Sequence, residues 1–131
     1  MLRFTLRLAF SLIALLVLAL ICFRLAAQWR ESQIPETDSP PSGAFIQTQS
    51  GQFYVQSAGP QGATPVLLAH GTAAWSGFWE KEVALIGAQG PYRAIAFDMP
   101  PFGYSTRPEN KDYSRPAQAS RILDLVATLD A

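Results

Sequence analysis

The 131-residue chain has one cysteine, Cys22, and one histidine, His70. A single cysteine excludes an internal disulfide, and the pair leaves too few soft donors for a zinc site. Charge of one sign is missing too. Ten basic and ten acidic residues cancel with no run of like charge, which removes the electrostatic case for a nucleic-acid partner. No internal repeat is visible. Gly59-Pro60-Gln61-Gly62 and Gly87-Ala88-Gln89-Gly90 do not form G-x-G-x-x-G, so no dinucleotide cofactor is expected. G-x-S-x-G, a strained strand-to-helix turn that exposes a nucleophilic serine, is also absent. Its nearest approach, "GYSTR" at 103–107, lacks the closing glycine and precedes no apolar helix.

Apolar residues are plentiful, at 49%, and many lie in one segment near the amino terminus. Leu8 to Phe23 carries no charge, and Ser11 is its only polar side chain. As a helix those residues rise about 24 Å, somewhat short of a hydrocarbon core of roughly 30 Å. Extending the span to residues 8–27 closes the gap if Arg24 snorkels toward the interface. Three readings compete: an uncleaved membrane anchor, a cleaved signal peptide and a buried core helix. "RLAAQ" is a poor cleavage site with Arg24 beside it, and Ile21 before Cys22 argues against lipidation, so the anchor is preferred. Cys22 is then a small apolar filler and Trp29 an interface anchor. Arg3 and Arg7 favour a cytoplasmic amino terminus with the rest of the chain on the far side; secretion after cleavage is the alternative.

The expected division is an anchor over 1–29, a Pro- and Ser-rich linker over 30–43, and a partial folded domain over 44–131. Ala44 to Ser50 and Gln52 to Ala58 read as a β-hairpin turning at Ser50-Gly51. Val66 to Ala69 is a continuous apolar run, expected to be a strand buried on both faces. Trp75, Phe78, Trp79, Val83 and Ile86 recur at helical spacing until Gly90-Pro91. Tyr92 to Phe97 is a second buried strand, closed by Asp98. After a long loop, Ser114 can cap a last helix with Pro116 in its first turn and a stripe of Ile122, Leu125, Val126 and Leu129. A hairpin followed by strand–helix–strand–helix is an α/β pattern with a parallel core, and an unfinished one. Its open edge calls for a further strand.

The stretch "LLAHGTAAWSGFWE", 67–80, places the only histidine where a strand ends in small residues before a helix. The first backbone N–H groups of a helix lack intrahelical partners, and the helix dipole adds positive potential there. Such a place suits an anion or the oxyanion of a tetrahedral intermediate. Gly71 permits the tight turn, and the amides of Thr72 and Ala73 are candidate donors. His70 need not be a base on this account; its ring can hydrogen-bond neighbouring loops.

These residues resemble the amino-terminal half of an α/β-hydrolase fold protein. "VLLAHG" is similar to the family's third strand and H-G turn. "AIAFDMPPFGYSTRP" resembles its D-x-P-G-x-G-x-S segment, with Pro101 where a glycine is usual. The last helix looks like the one that leads to the nucleophile strand. The resemblance implies that Thr72, or alternatively Ala73, contributes an oxyanion-binding amide. It implies that His70 and Gly71 shape the turn, and that Asp98, Gly103 and Ser105 order the following loop. It implies no metal or organic cofactor. The family's general base is another histidine near the carboxyl end, so the nucleophile, acid and base all fall outside these residues. The chain is therefore expected to be a fragment of a membrane-anchored hydrolase that cleaves an ester or similar bond of a small-molecule substrate through a covalent nucleophile. The rival reading is a non-catalytic remnant or a membrane-tethered binding module.

Overall fold

A computed structural model describes residues 2–32 and 39–129. They fall into two units, one within Met1–Asp38 and one over Ser39–Ala131. The first is a single helix, α1 (Leu2–Ser32), of 31 residues. Within it Thr5–Trp29 has a mean hydropathy of 2.7, long and apolar enough by length and composition to cross a membrane. Those 25 residues rise about 37 Å as a helix.

The second unit is a four-stranded mixed sheet with helices on both faces. β1 (Ala44–Thr48) and β2 (Gly51–Ala58) form the hairpin, with Thr48 opposite Gly51. The turn is thus Gln49-Ser50, one residue earlier than expected. Gly51, at φ +124°, takes the backbone angle that a side chain would resist. β3 (Thr64–Ala69) and β4 (Tyr92–Phe97) run parallel, and the order across the sheet is β1-β2-β4-β3. β2 pairs antiparallel with β4. The α/β class and the unfinished sheet therefore stand as the patterning indicated.

β4 is the central strand, and its alternation divides the core. Ile95 and Phe97 join Phe53, Val55 and Leu125 on one face, with Ile122 of α3 (Arg115–Thr128) and Leu129 just after it packed against them. Ala94 and Ala96 point to the other face, beneath Val83 and Ile86 of α2 (Glu80–Gly87). Alanine there lets the helix approach closely. Gly87 lies against Ala58, where a side chain would collide. Ser114 caps α3 through its hydroxyl, which accepts from the Ala117 amide.

Two expectations change. β3 is not buried on both faces: among the described residues it is one of the sheet's two edge strands, with Leu67 39% exposed. Its continuous apolar run matches a central strand, but β4 covers one of its edges and no described residue covers the other. The helix after the H-G turn also starts late. A 3-10 turn, Ser76–Trp79, precedes α2, so the aromatic cluster of Trp75, Phe78 and Trp79 scatters. Trp79 packs with the α2 core, Trp75 lies against Tyr104, and Phe78 is 70% exposed.

Candidate active-site turn

β3 and β4 are parallel and in register, Ala69 beside Phe97. The residues that follow them, His70 and Asp98, therefore emerge at the same end of the sheet, where loops after parallel strands build sites.

His70 joins the two loops. Its Nε2 accepts from the Met99 amide at 2.8 Å, and its Nδ1 lies 2.8 Å from the Gly71 carbonyl. A backbone amide can only donate, so Nε2 carries the lone pair and the proton sits on Nδ1, from which it donates to Gly71. Both ring nitrogens of the neutral side chain are thus in use. Phe102 meets the ring edge-on at 6.1 Å.

Asp98 makes the second tie. It is fully buried, its Oδ1 accepts from the Ser76 amide at 2.6 Å, and its Oδ2 accepts from the Tyr104 amide at 2.8 Å. Among the described residues no ion pair reaches this carboxylate; backbone N–H groups hold it. Gly103 sits at φ +62°, and a Cβ there would fall on the Asp98 carboxylate. The loop between Met99 and Tyr104, which includes a cis Pro100-Pro101 bond, is an excursion from the sheet. It returns when Ser105 Oγ accepts from the Tyr54 amide at 2.9 Å and the Thr106 amide donates to the Gln52 carbonyl. Ser105 is buried and continues the β2 ladder past the end of β4.

The turn itself is closed by the Ala74 amide donating to the Gly71 carbonyl at 3.3 Å. Ala73 stands at φ +59°, a left-handed conformation that costs an alanine about 1–2 kcal/mol and persists only where the surroundings impose it. Thr72 and Ala73 are exposed, and neither amide donates to a described residue. Thr72 and Ala73 are the amides expected as candidate donors, and the helix start itself does not add to them. The first N–H of the 3-10 turn, Ser76, is taken by Asp98, and α2 begins only at Glu80. The free donors lie in the turn before the helix.

Sequence reasoning missed Ser76, Gln56 and Tyr54. Ser76 is fully buried, and its Oγ accepts from Gln56 Nε2 at 3.0 Å. Tyr54, also fully buried, lies against Tyr104 with ring centroids 5.3 Å apart, and Tyr104 against Trp75 at 5.7 Å. Burial holds the Tyr54 phenol above its ordinary pKa; nearby Asp98 adds to the effect. The available signal was the polar and aromatic character of Tyr54 and Gln56 at alternate positions of a β-strand, facing the same side.

The family profile described as alpha/beta hydrolase fold matches residues 64–131, and the chain belongs to that family. It is 36% identical over 73 residues to a haloalkane dehalogenase of Psychrobacter cryohalolentis, covering 55% of this chain and 24% of that one. It is 32% identical over 85 residues to an uncharacterized carboxylesterase of Bacillus subtilis, covering 65% and 28%. Among solved structures, an epoxide hydrolase from Vigna radiata superposes with a TM-score of 0.61 at 22% identity, over 68% of this chain and 28% of that one. An esterase from Exiguobacterium antarcticum gives 0.58 at 29% identity, over 67% and 32%. The chain therefore spans about a quarter to a third of the length of these relatives.

Proposed function

We propose that this chain supplies the oxyanion-binding part of a membrane-anchored hydrolase that cleaves an ester or similar bond in a small molecule. The observation that carries the reading is the turn after β3. Two exposed, unused amides, at Thr72 and Ala73, follow a histidine whose nitrogens are both engaged, in a backbone strained at Ala73. Preorganised N–H donors at such a place stabilise the negative oxygen of a tetrahedral intermediate without reorganising. Thr72 is the principal donor and Ala73 the alternative. His70 and Gly71 hold the turn, and Asp98, Gly103 and Ser105 hold the loop facing it. His70 does not serve as general base, because its Nε2 lone pair is committed to Met99. Thr5–Trp29 serves as a single-pass anchor with Arg3 and Arg7 on the cytoplasmic side. The relatives' names span dehalogenase, esterase and epoxide hydrolase, so the bond cleaved is left at the level of the class.

The test begins by reading the coding region past codon 131. An open frame with G-x-S-x-G shortly downstream, then an acid and a histidine, supports the reading. In the protein so encoded, Thr72→Pro removes one N–H and should lower kcat on an activated ester by roughly 10²–10³ with little change in KM. An unchanged kcat removes Thr72 from the site. A stop codon there would favour the non-catalytic reading, in which the open β3 edge accepts a strand from a partner.

A further inference from the structure

The residues just before β1 bear on the same turn. Tyr54 Oη donates to the Pro40 carbonyl at 2.7 Å, and that carbonyl also accepts from the Gly43 amide at 3.4 Å. Ser42 Oγ donates to Gln56 Oε1 at 3.4 Å. Gly43 is pressed against the Tyr54 ring so closely that a Cβ would fall inside it. Residues 40–43 therefore lie across one face of β2 as a strap, although their Pro and Ser content reads as linker.

Two routes lead from this strap to the H-G turn. One runs from Ser42 to Gln56 and on to Ser76 Oγ. The other runs from Pro40 to Tyr54, then by ring contact to Tyr104 and Trp75. Both end at the 75–76 step directly behind the turn, and Asp98 binds the Ser76 and Tyr104 amides together there. The Tyr54 backbone belongs to the same junction. Its carbonyl accepts from the Asp98 amide at 3.0 Å, and its amide donates to Ser105 Oγ.

We infer that residues 40–43 are a positioning strap for the turn, and that Tyr54 and Gln56 are the positioning residues that transmit its hold. Neither touches the space beside Thr72; they act through Ser76 and Tyr104. The physical reason is dry burial. Tyr54 and Gln56 are nearly inaccessible, so a polar atom that loses its partner there gains no water in exchange. Loosening the strap without opening it to water leaves the phenol and the Gln56 carbonyl unsatisfied, and the cheapest relief is movement of the aromatic ring and amide that also support residues 75 and 76. The purpose of the strap rests on the oxyanion reading, but its mechanical effect does not.

The test is amide hydrogen exchange by NMR on the full 131-residue chain in detergent micelles. Tyr54→Phe keeps the ring and removes only its hydroxyl, and with it the bond to Pro40 and the hydroxyl's interactions with Ser42 and Gly43. It should speed exchange of the Ser76 and Tyr104 amides roughly tenfold and shift the Thr72 amide resonance, with Leu125 on the far face unchanged. Ser42→Ala, which deletes one exposed hydroxyl, should do the same more weakly. Faster exchange at Gly43 alone, with Ser76, Tyr104 and Thr72 unmoved, overturns the inference: the strap is then only a local attachment. If Tyr54→Phe loosens every amide including Leu125, Ser42→Ala decides between the same two results. The esterase assay on Thr72→Pro tests the oxyanion reading separately, since exchange reads the turn whether or not it binds an anion.

Discussion

Replacing Asp98 by asparagine changes one oxygen to an amino group and almost nothing in volume. The carboxylate is fully buried and accepts from Ser76 at 2.6 Å and Tyr104 at 2.8 Å. A hydrogen bond to a charged acceptor contributes about 1.5–3 kcal/mol net, so the two together contribute about 3–6 kcal/mol. Asparagine keeps one acceptor and turns an N–H₂ toward the other N–H, losing one bond outright and leaving a buried donor without a partner. It also removes the cost of holding a charge out of water, which offsets part of the loss. The net expectation for Asp98→Asn is a loss of about 2–3 kcal/mol, and for Asp98→Ala somewhat more. For a domain this small that is a large fraction of total stability. The assay is urea unfolding of the chain in mild detergent, followed by tryptophan fluorescence in a Trp29→Phe background so that Trp75 and Trp79 report the sheet unit. With a slope of about 1–3 kcal/mol per molar urea, the midpoint should fall by roughly 0.7–3 M. A midpoint within the equivalent of about 0.5 kcal/mol of the parent would refute the reasoning, because a neutral amide would then serve the two donors equally well.

Glycine offers a paired comparison. Gly103→Ala meets both a left-handed backbone and the Asp98 carboxylate, whereas Gly62→Ala at φ +76° meets open space. The second should cost about 1–2 kcal/mol and the first clearly more; equal losses by urea titration would show that the loop yields freely. Nitrogen-15 spectra of the imidazole at pH 8 should show His70 as the Nδ1–H tautomer, with His70→Ala destabilising by about 1–2 kcal/mol. An Nε2–H tautomer contradicts the Met99 contact. Burial raises the folded Tyr54 pKa above the ordinary value of 10.0, so this residue's contribution is present at neutral pH and lost as pH rises through the folded value. As pH rises from about 10 upward, Tyr54→Phe should therefore lose less stability than the parent, and an identical alkaline slope would count against it.

Residue patterning alone determined the long apolar helix, the hairpin, both parallel strands, the Ser114 cap and the α/β class. Each rests on local physics: a period of two or 3.6, glycine and proline at the breaks, a hydroxyl where a helix begins. The H-G and D-x-P-x-x-G-x-S segments also marked two loops that come together, since loops after parallel strands meet at one end of the sheet. What the chain order could not convey was which neighbours the strands would have. β3 reads as a central strand by composition, yet among the described residues it is an edge, because burial on its second edge depends on a strand that local sequence does not specify. That the helix start adds no free donor beside Thr72 and Ala73 depended on Asp98 taking the Ser76 amide, a contact across 22 residues. Residues 40–43 likewise read as linker by their Pro and Ser. Only the tertiary structure, by facing Tyr54 and Gln56 toward them, made them part of the fold, because a buried polar side chain must find its partner wherever the packing brings one.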